Sequence, residues 1–143
     1  MKKLLAAFSF AMGVLFATLP ASAGNQLAVA LSGYDTVSYH MGEPQMGEAR
    51  INHFHNGAIW YFSSTENRDM FAANPDQYAP AYDGYCSWAA SQGYKAPGDP
   101  TVWEIVDNRL FVQVHPRAQE LWQADIPTHI VAGDENWPRI HPF

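Results

Sequence analysis

The sequence predicts a small single α+β domain, two β-hairpins packed with short helices. Three observations point to it. Two β-compatible stretches are each split by a turn dipeptide, Asn56-Gly57 in the first and Asp107-Asn108 in the second. Helix-start signals lie between and after them, at Ser63-Ser64-Thr65-Glu66, at Asp83 and at Pro116. The composition, 48% hydrophobic and 14% aromatic with only 15% charged residues, suits a packed core and not a disordered chain.

Taken in order, residues 1–23 read as an export signal. Lys2 and Lys3 precede a charge-free apolar run from Leu4 to Leu19, followed by Pro20 and the small-residue cleavage site Ala21-Ser22-Ala23. That run is shorter than the roughly 20 residues a spanning helix needs. The mature domain, residues 24–143, is then expected as a periplasmic protein with no membrane attachment after cleavage. Ala49–His55 and Ala58–Ser63 form the first hairpin, with His55 facing Ala58, His53 facing Trp60 and Ile51 facing Phe62. A capping box at Ser63 opens a helix over Thr65–Ala73, which stops at Asn74-Pro75. Asp83 caps a second helix from Gly84 to Gln92, and Gly93 stops it. Val102–Val106 and Leu110–Val114 make the second hairpin; helices over Arg117–Ala124 and Thr128–Gly133 follow, then a fraying tail that holds His141. No internal repeat stands out.

Charge narrows the function classes. Eight Lys and Arg face fourteen Asp and Glu, a net charge of −6, which becomes −8 when Lys2 and Lys3 are lost with the signal. A surface of that sign repels phosphate backbones and anionic lipid, so neither nucleic acid nor a membrane surface is expected as partner. Cys86 is the only cysteine, so the domain has no internal disulfide.

Several uncommon residues then fall into a recognisable order. Gly33-Tyr34-Asp35-Thr36-Val37 opens the domain, Trp60-Tyr61-Phe62-Ser63-Ser64 ends the hairpin, and Asn67-Arg68, Phe71 and Asn74-Pro75 follow. Tyr78-Ala79-Pro80, Tyr82-Asp83-Gly84-Tyr85-Cys86, Pro97-Gly98-Asp99-Pro100, Trp103 and Asn136-Trp137-Pro138 complete the pattern. The chain resembles exported bacterial YHS-domain proteins over nearly all of its mature length, here with a C-terminal extension. The resemblance implies a module related to treble-clef-like metal-binding domains. It also implies three cysteine ligands at positions that here hold Ser38, Ser63 and Asn67. Hydroxyl and amide groups are poor substitutes for thiolates in a zinc or copper site, so the family's ligand set does not carry over.

Other donors are candidates to replace it. Cys86 is the soft ligand, placed in the first turn of its expected helix. His53 and His55, alternating along a strand, put two imidazoles on one face. His40 and Met41, on the loop entering the hairpin, offer a copper-compatible pair. Beside Cys86, Tyr82, Tyr85 and Trp60 are the candidates to line a small ligand pocket. The expected function is therefore non-enzymatic binding of a copper or zinc ion, or of a small ligand, with an unidentified periplasmic protein or the ion itself as partner. The alternative is a metal-free structural or protein-interaction module that has lost the cysteine site.

Overall fold

The computed structural model describes residues 28–141. The segment expected to be an export signal, residues 1–23, lies outside the described residues. Within them no helix is long and apolar enough to cross a membrane. The chain forms a single α+β domain, as the sequence predicts. Its elements are β1 (Ala28–Val29), β2 (Tyr34–Asp35), α1 (Thr36–His40), β3 (Gln45–Met46), β4 (Glu48–His55), β5 (Ala58–Phe62), α2 (Thr65–Ala73) and α3 (Pro75–Tyr78). After a turn come α4 (Ser87–Ser91), β6 (Asp99–Val106), β7 (Arg109–Gln113), α5 (Pro116–Gln123) and α6 (Ile126–Ile140).

Both hairpins turn where the sequence places them. Asn56 and Gly57 have φ of 47° and 76°, and Asp107 and Asn108 have 49° and 63°. Positive φ at both central residues is the type I′ requirement, and Asn, Asp and Gly meet it at least cost. His55 pairs with Ala58 and His53 with Trp60, as expected. The expected partnership of Ile51 with Phe62 is not formed: a bulge between Glu48 and Asn52 shifts the register, and Phe62 pairs with Glu48. On the inner face, Phe71 of α2 is fully buried against Trp60 and Phe62, with ring centroids 5.4 and 5.1 Å away. Burying a side chain of that size contributes about 1.5–3 kcal/mol.

Three helix expectations need correction. Ser64, not Ser63, caps α2, its hydroxyl accepting from Asn67 N at 3.1 Å. The helix expected over Gly84–Gln92 breaks into a tight turn, Ala81–Gly84, and the five-residue α4 with Cys86 at its N-cap. Asp83 is no cap: it lies in the left-handed region with Tyr82, at φ of 51° and 57°. The last helix, expected to end at Gly133, runs on to Ile140.

The domain is also a repeat, which the sequence had not suggested. Displacing the first half by 51 residues superposes its pairing scheme on the second. His53↔Trp60 becomes Glu104↔Phe111, Phe54↔Ile59 becomes Ile105↔Leu110, and the bulge between Glu48 and Asn52 becomes that between Asp99 and Trp103. The pairing of Tyr34 with Met46 returns as a bridge between Tyr85 and Pro97. The left-handed run Leu31, Ser32, Gly33 returns as Tyr82, Asp83, Gly84. N-caps correspond too, Ser64 with His115 and Asp35 with Cys86. Two glycines, Gly47 and Gly98, hold equivalent places where another backbone passes too close for any side chain: a Cβ on Gly47 would lie 2.5 Å from the Tyr61 carbonyl carbon.

The two modules stack in one direction. Leu110 and Val112, on the outer face of the second hairpin, are fully buried in a core shared with Leu31, Val37 and Tyr39 of the first module. Trp103 meets Tyr39 edge-on at 5.1 Å, and the Tyr39 hydroxyl donates to Pro100 O at 2.6 Å. On α4, the second module's equivalent of α1, α6 takes the covering role. Asn136 donates to the carbonyls of Ala90 and Ser91, and Trp137 packs 5.5 Å from Tyr82.

Candidate functional site

Asp35 organises the first module. It is fully buried, and its carboxylate accepts five hydrogen bonds. Oδ1 takes the Val37 and Ser38 amides at 2.9 and 3.4 Å, which caps α1. Oδ2 takes the Ser63 amide at 2.9 Å, the Ser63 hydroxyl at 2.6 Å and the Asn67 side-chain amide at 2.7 Å. The Ser38 hydroxyl donates to Asp35 O at 2.6 Å and accepts from Gln45 N at 2.9 Å. Ser38, Ser63 and Asn67 therefore all gather on Asp35, the first through the backbone carbonyl and the other two through a carboxylate with its lone pairs committed. This centre fastens α1, β3 and the β5–α2 junction together, and its donor chemistry does not fit a soft metal ion.

The equivalent place in the second module is apolar. Displacement by 51 residues turns Asp35, Ser38, Ser63 and Asn67 into Cys86, Ala89, Val114 and Ala118. Those four pack together, with Cys86, Ala89 and Ala118 essentially inaccessible. The Cys86 thiol donates to Gln113 Oε1 at 3.4 Å, and the same oxygen accepts from Trp88 N at 3.0 Å.

The proposed metal donors are dispersed. His53 and His55 do share a face, but each sits edge-on to Phe71, with centroids 5.8 and 5.4 Å from it. His40 packs on Tyr78 at 5.4 Å, and burial pushes its pKa below the usual imidazole value, a hydrogen bond with Asn108 opposing. Met41 is 58% exposed. Among the described residues no group of three or more His, Cys, Asp or Glu is placed to hold a metal ion, so the expected convergence of Cys86, His53, His55 and His40 does not occur. The physical reason is topological. Cys86 belongs to the second module's interior, whereas the histidines pack on rings of the first.

Nor do Tyr82, Tyr85 and Trp60 line one pocket beside Cys86. Trp60 is buried in the first core and donates to His55 O at 3.0 Å. Tyr82 and Tyr85 both stack on Trp137 in the second core. The Tyr82 hydroxyl, 3.0 Å from Asp134 Oδ1, has its pKa raised by burial first and by that carboxylate second.

Tyr85 does border a cleft of about 210 Å³ between the two left-handed turns, which the sequence did not reveal. Leu31, Ala58 and Pro97 give it apolar walls, and Lys95 Nζ lies 4.3 Å above the Tyr85 ring. At its rim His141 Nε2 is 2.7 Å from Asp83 Oδ2, so the expected fraying tail is instead tied down. Asp83 and His141 form a carboxylate–imidazole pair, but the one thiol is enclosed by alanines elsewhere, so Cys86 is not its nucleophile. Compared with known proteins, the chain matches no family model, no curated protein and no solved structure.

Proposed function

We propose that the protein is an exported, non-enzymatic module of YHS type that acts by contact with a partner rather than by holding a metal ion. The observation that carries this reading is the Asp35 centre. The three positions at which the resemblance implies thiolate ligands are spent there on one buried residue: Ser63 and Asn67 on the Asp35 carboxylate, and the Ser38 hydroxyl on the Asp35 backbone carbonyl. Their counterparts in the second module, Ala89, Val114 and Ala118, carry no donor side chains. Both candidate ligand centres thus serve to hold the fold, which leaves the surface to do the work.

Titration of the purified protein and its Cys86→Ala variant with Cu(I) and Zn(II) tests the proposal. The expected result is weak, non-stoichiometric binding that is the same in both. One-to-one binding that disappears in Cys86→Ala would overturn it in favour of an ion held by Cys86 with His53, His55, and His40 or Met41.

A further inference from the structure

Two copies of one module present the same sheet face to different surroundings. In the second copy that face carries Trp103, Ile105, Leu110 and Val112, and Leu110 and Val112 are fully buried against the first module. In the first copy the corresponding residues are Asn52, Phe54, Ile59 and Tyr61, so the uncharged Asn52 borders an apolar row. Cross-strand register extends the row through Val29, which pairs with Ile59 on β1. Met46 joins it beside Tyr61, since both side chains come within 4 Å of the same point above Gly33. Among the described residues Val29 is 41%, Phe54 56% and Met46 58% exposed, while Ile59 and Tyr61 between them are half-buried. An uncharged apolar row across three strands is an uncommon feature on an acidic surface.

We infer that this face is the contact surface of the protein, and that its occupant is the same face of a second copy, in a two-fold dimer. The inference deepens the proposal above and rests on it by naming the partner. Three arguments choose the occupant. The face is built like one already shown to seal against this chain, since its twin is the inter-module interface. A head-to-tail partner is blocked. The surface that covers the twin face is made by Leu31, by Val37 and Tyr39 of α1 and by α3, and is already in use; the counterparts of Leu31 and α1, Tyr82 and α4, are covered by α6. Self-association through equivalent faces is what remains, and a self-complementary contact closes at two. The row also carries no charge, so two acidic chains can meet there without opposing like charges at the centre. Two such faces pack as aligned sheets about 10 Å apart, with Phe54 as the aromatic anchor.

Sedimentation velocity of the purified protein across a wide concentration range tests this, alongside Phe54→Asp and a control, Val131→Asp, at an equally exposed apolar site on α6. The expected result is a reversible monomer–dimer equilibrium, weakened about thirtyfold or more by Phe54→Asp and unchanged by Val131→Asp. A monomer at every concentration, a series of higher oligomers, or a dimer indifferent to Phe54→Asp would each overturn the inference. Circular dichroism confirms that the variants fold. Metal titration reads the underlying proposal separately, so failure of one is not mistaken for failure of the other.

Discussion

Removing the Asp35 carboxylate should unfasten the first module. In Asp35→Ala five donors lose their acceptor: the amides of Val37, Ser38 and Ser63, the Ser63 hydroxyl and the Asn67 side chain. Each buried donor left unsatisfied costs about 1–3 kcal/mol, and the lost cap of α1 alone costs about 1 kcal/mol. Relaxation and water entry reduce the sum, so we expect a net loss of about 3–5 kcal/mol, in line with other broken buried polar networks. Against a typical total stability of about 5–15 kcal/mol this is severe. With a urea slope of about 2 kcal/mol/M, the midpoint falls by about 2 M. The repeat supplies a second arm. The equivalent centre holds Cys86, Val114 and Ala118, so converting all three polar residues together (Asp35→Cys, Ser63→Val, Asn67→Ala) removes side-chain donors along with their acceptor. That triple variant should lose less stability than Asp35→Cys alone, a sign only strong coupling produces. A loss below about 1 kcal/mol in Asp35→Ala, or a triple variant worse than the single one, would refute the reasoning.

Two further outcomes follow from other parts of the fold. Burial lowers the His40 pKa below 6.5, so the folded state disfavours the imidazolium relative to the unfolded chain. The corresponding stability is fully present above about pH 6.5 and is lost as pH falls from there through the depressed folded value. Urea midpoints measured from pH 8 to pH 5 should show this slope, and His40→Phe, which keeps the contact with Tyr78, should flatten it. At Gly98 an added Cβ would collide with the Gly84 carbonyl oxygen and lie 2.7 Å from Val112 Cγ1. Gly98→Ala should therefore cost about 1–3 kcal/mol and lower Tm by at least about 4 °C by calorimetry; an unchanged Tm would show that the strand relaxes freely.

What the sequence made legible is local chemistry. Asn56-Gly57 and Asp107-Asn108 announce their turns because few other pairs tolerate two positive φ values. The helix over Thr65–Ala73 was readable because Asn74-Pro75 stops it. The break at Tyr82 and Asp83 was not readable. A bulky aromatic adopts the left-handed region only when tertiary contacts hold it there, and Tyr82 is held by Asp134, Phe111 and Trp137. The last helix outran its expected end because its second half packs on α4, which outweighs the Pro138 near its terminus. The repeat is faint in the sequence because its halves agree in shape more than in letters. Gly33-Tyr34 and Gly84-Tyr85 are identical, but Asp35 answers to Cys86, Ser63 to Val114, and Phe71 to Trp122. The candidate site was misplaced for the same reason. The sequence offers an inventory of sulfur and imidazole, whereas the fold assigns those groups to two separate interiors.

The covering of α4 by α6 gives the stacked pair a direction. Among the described residues one end is plugged by the chain's own last helix, and the other is left bare. A unit with a single bare end is monovalent. It cannot grow into a ring or a filament, and the largest body it makes by itself is a couple.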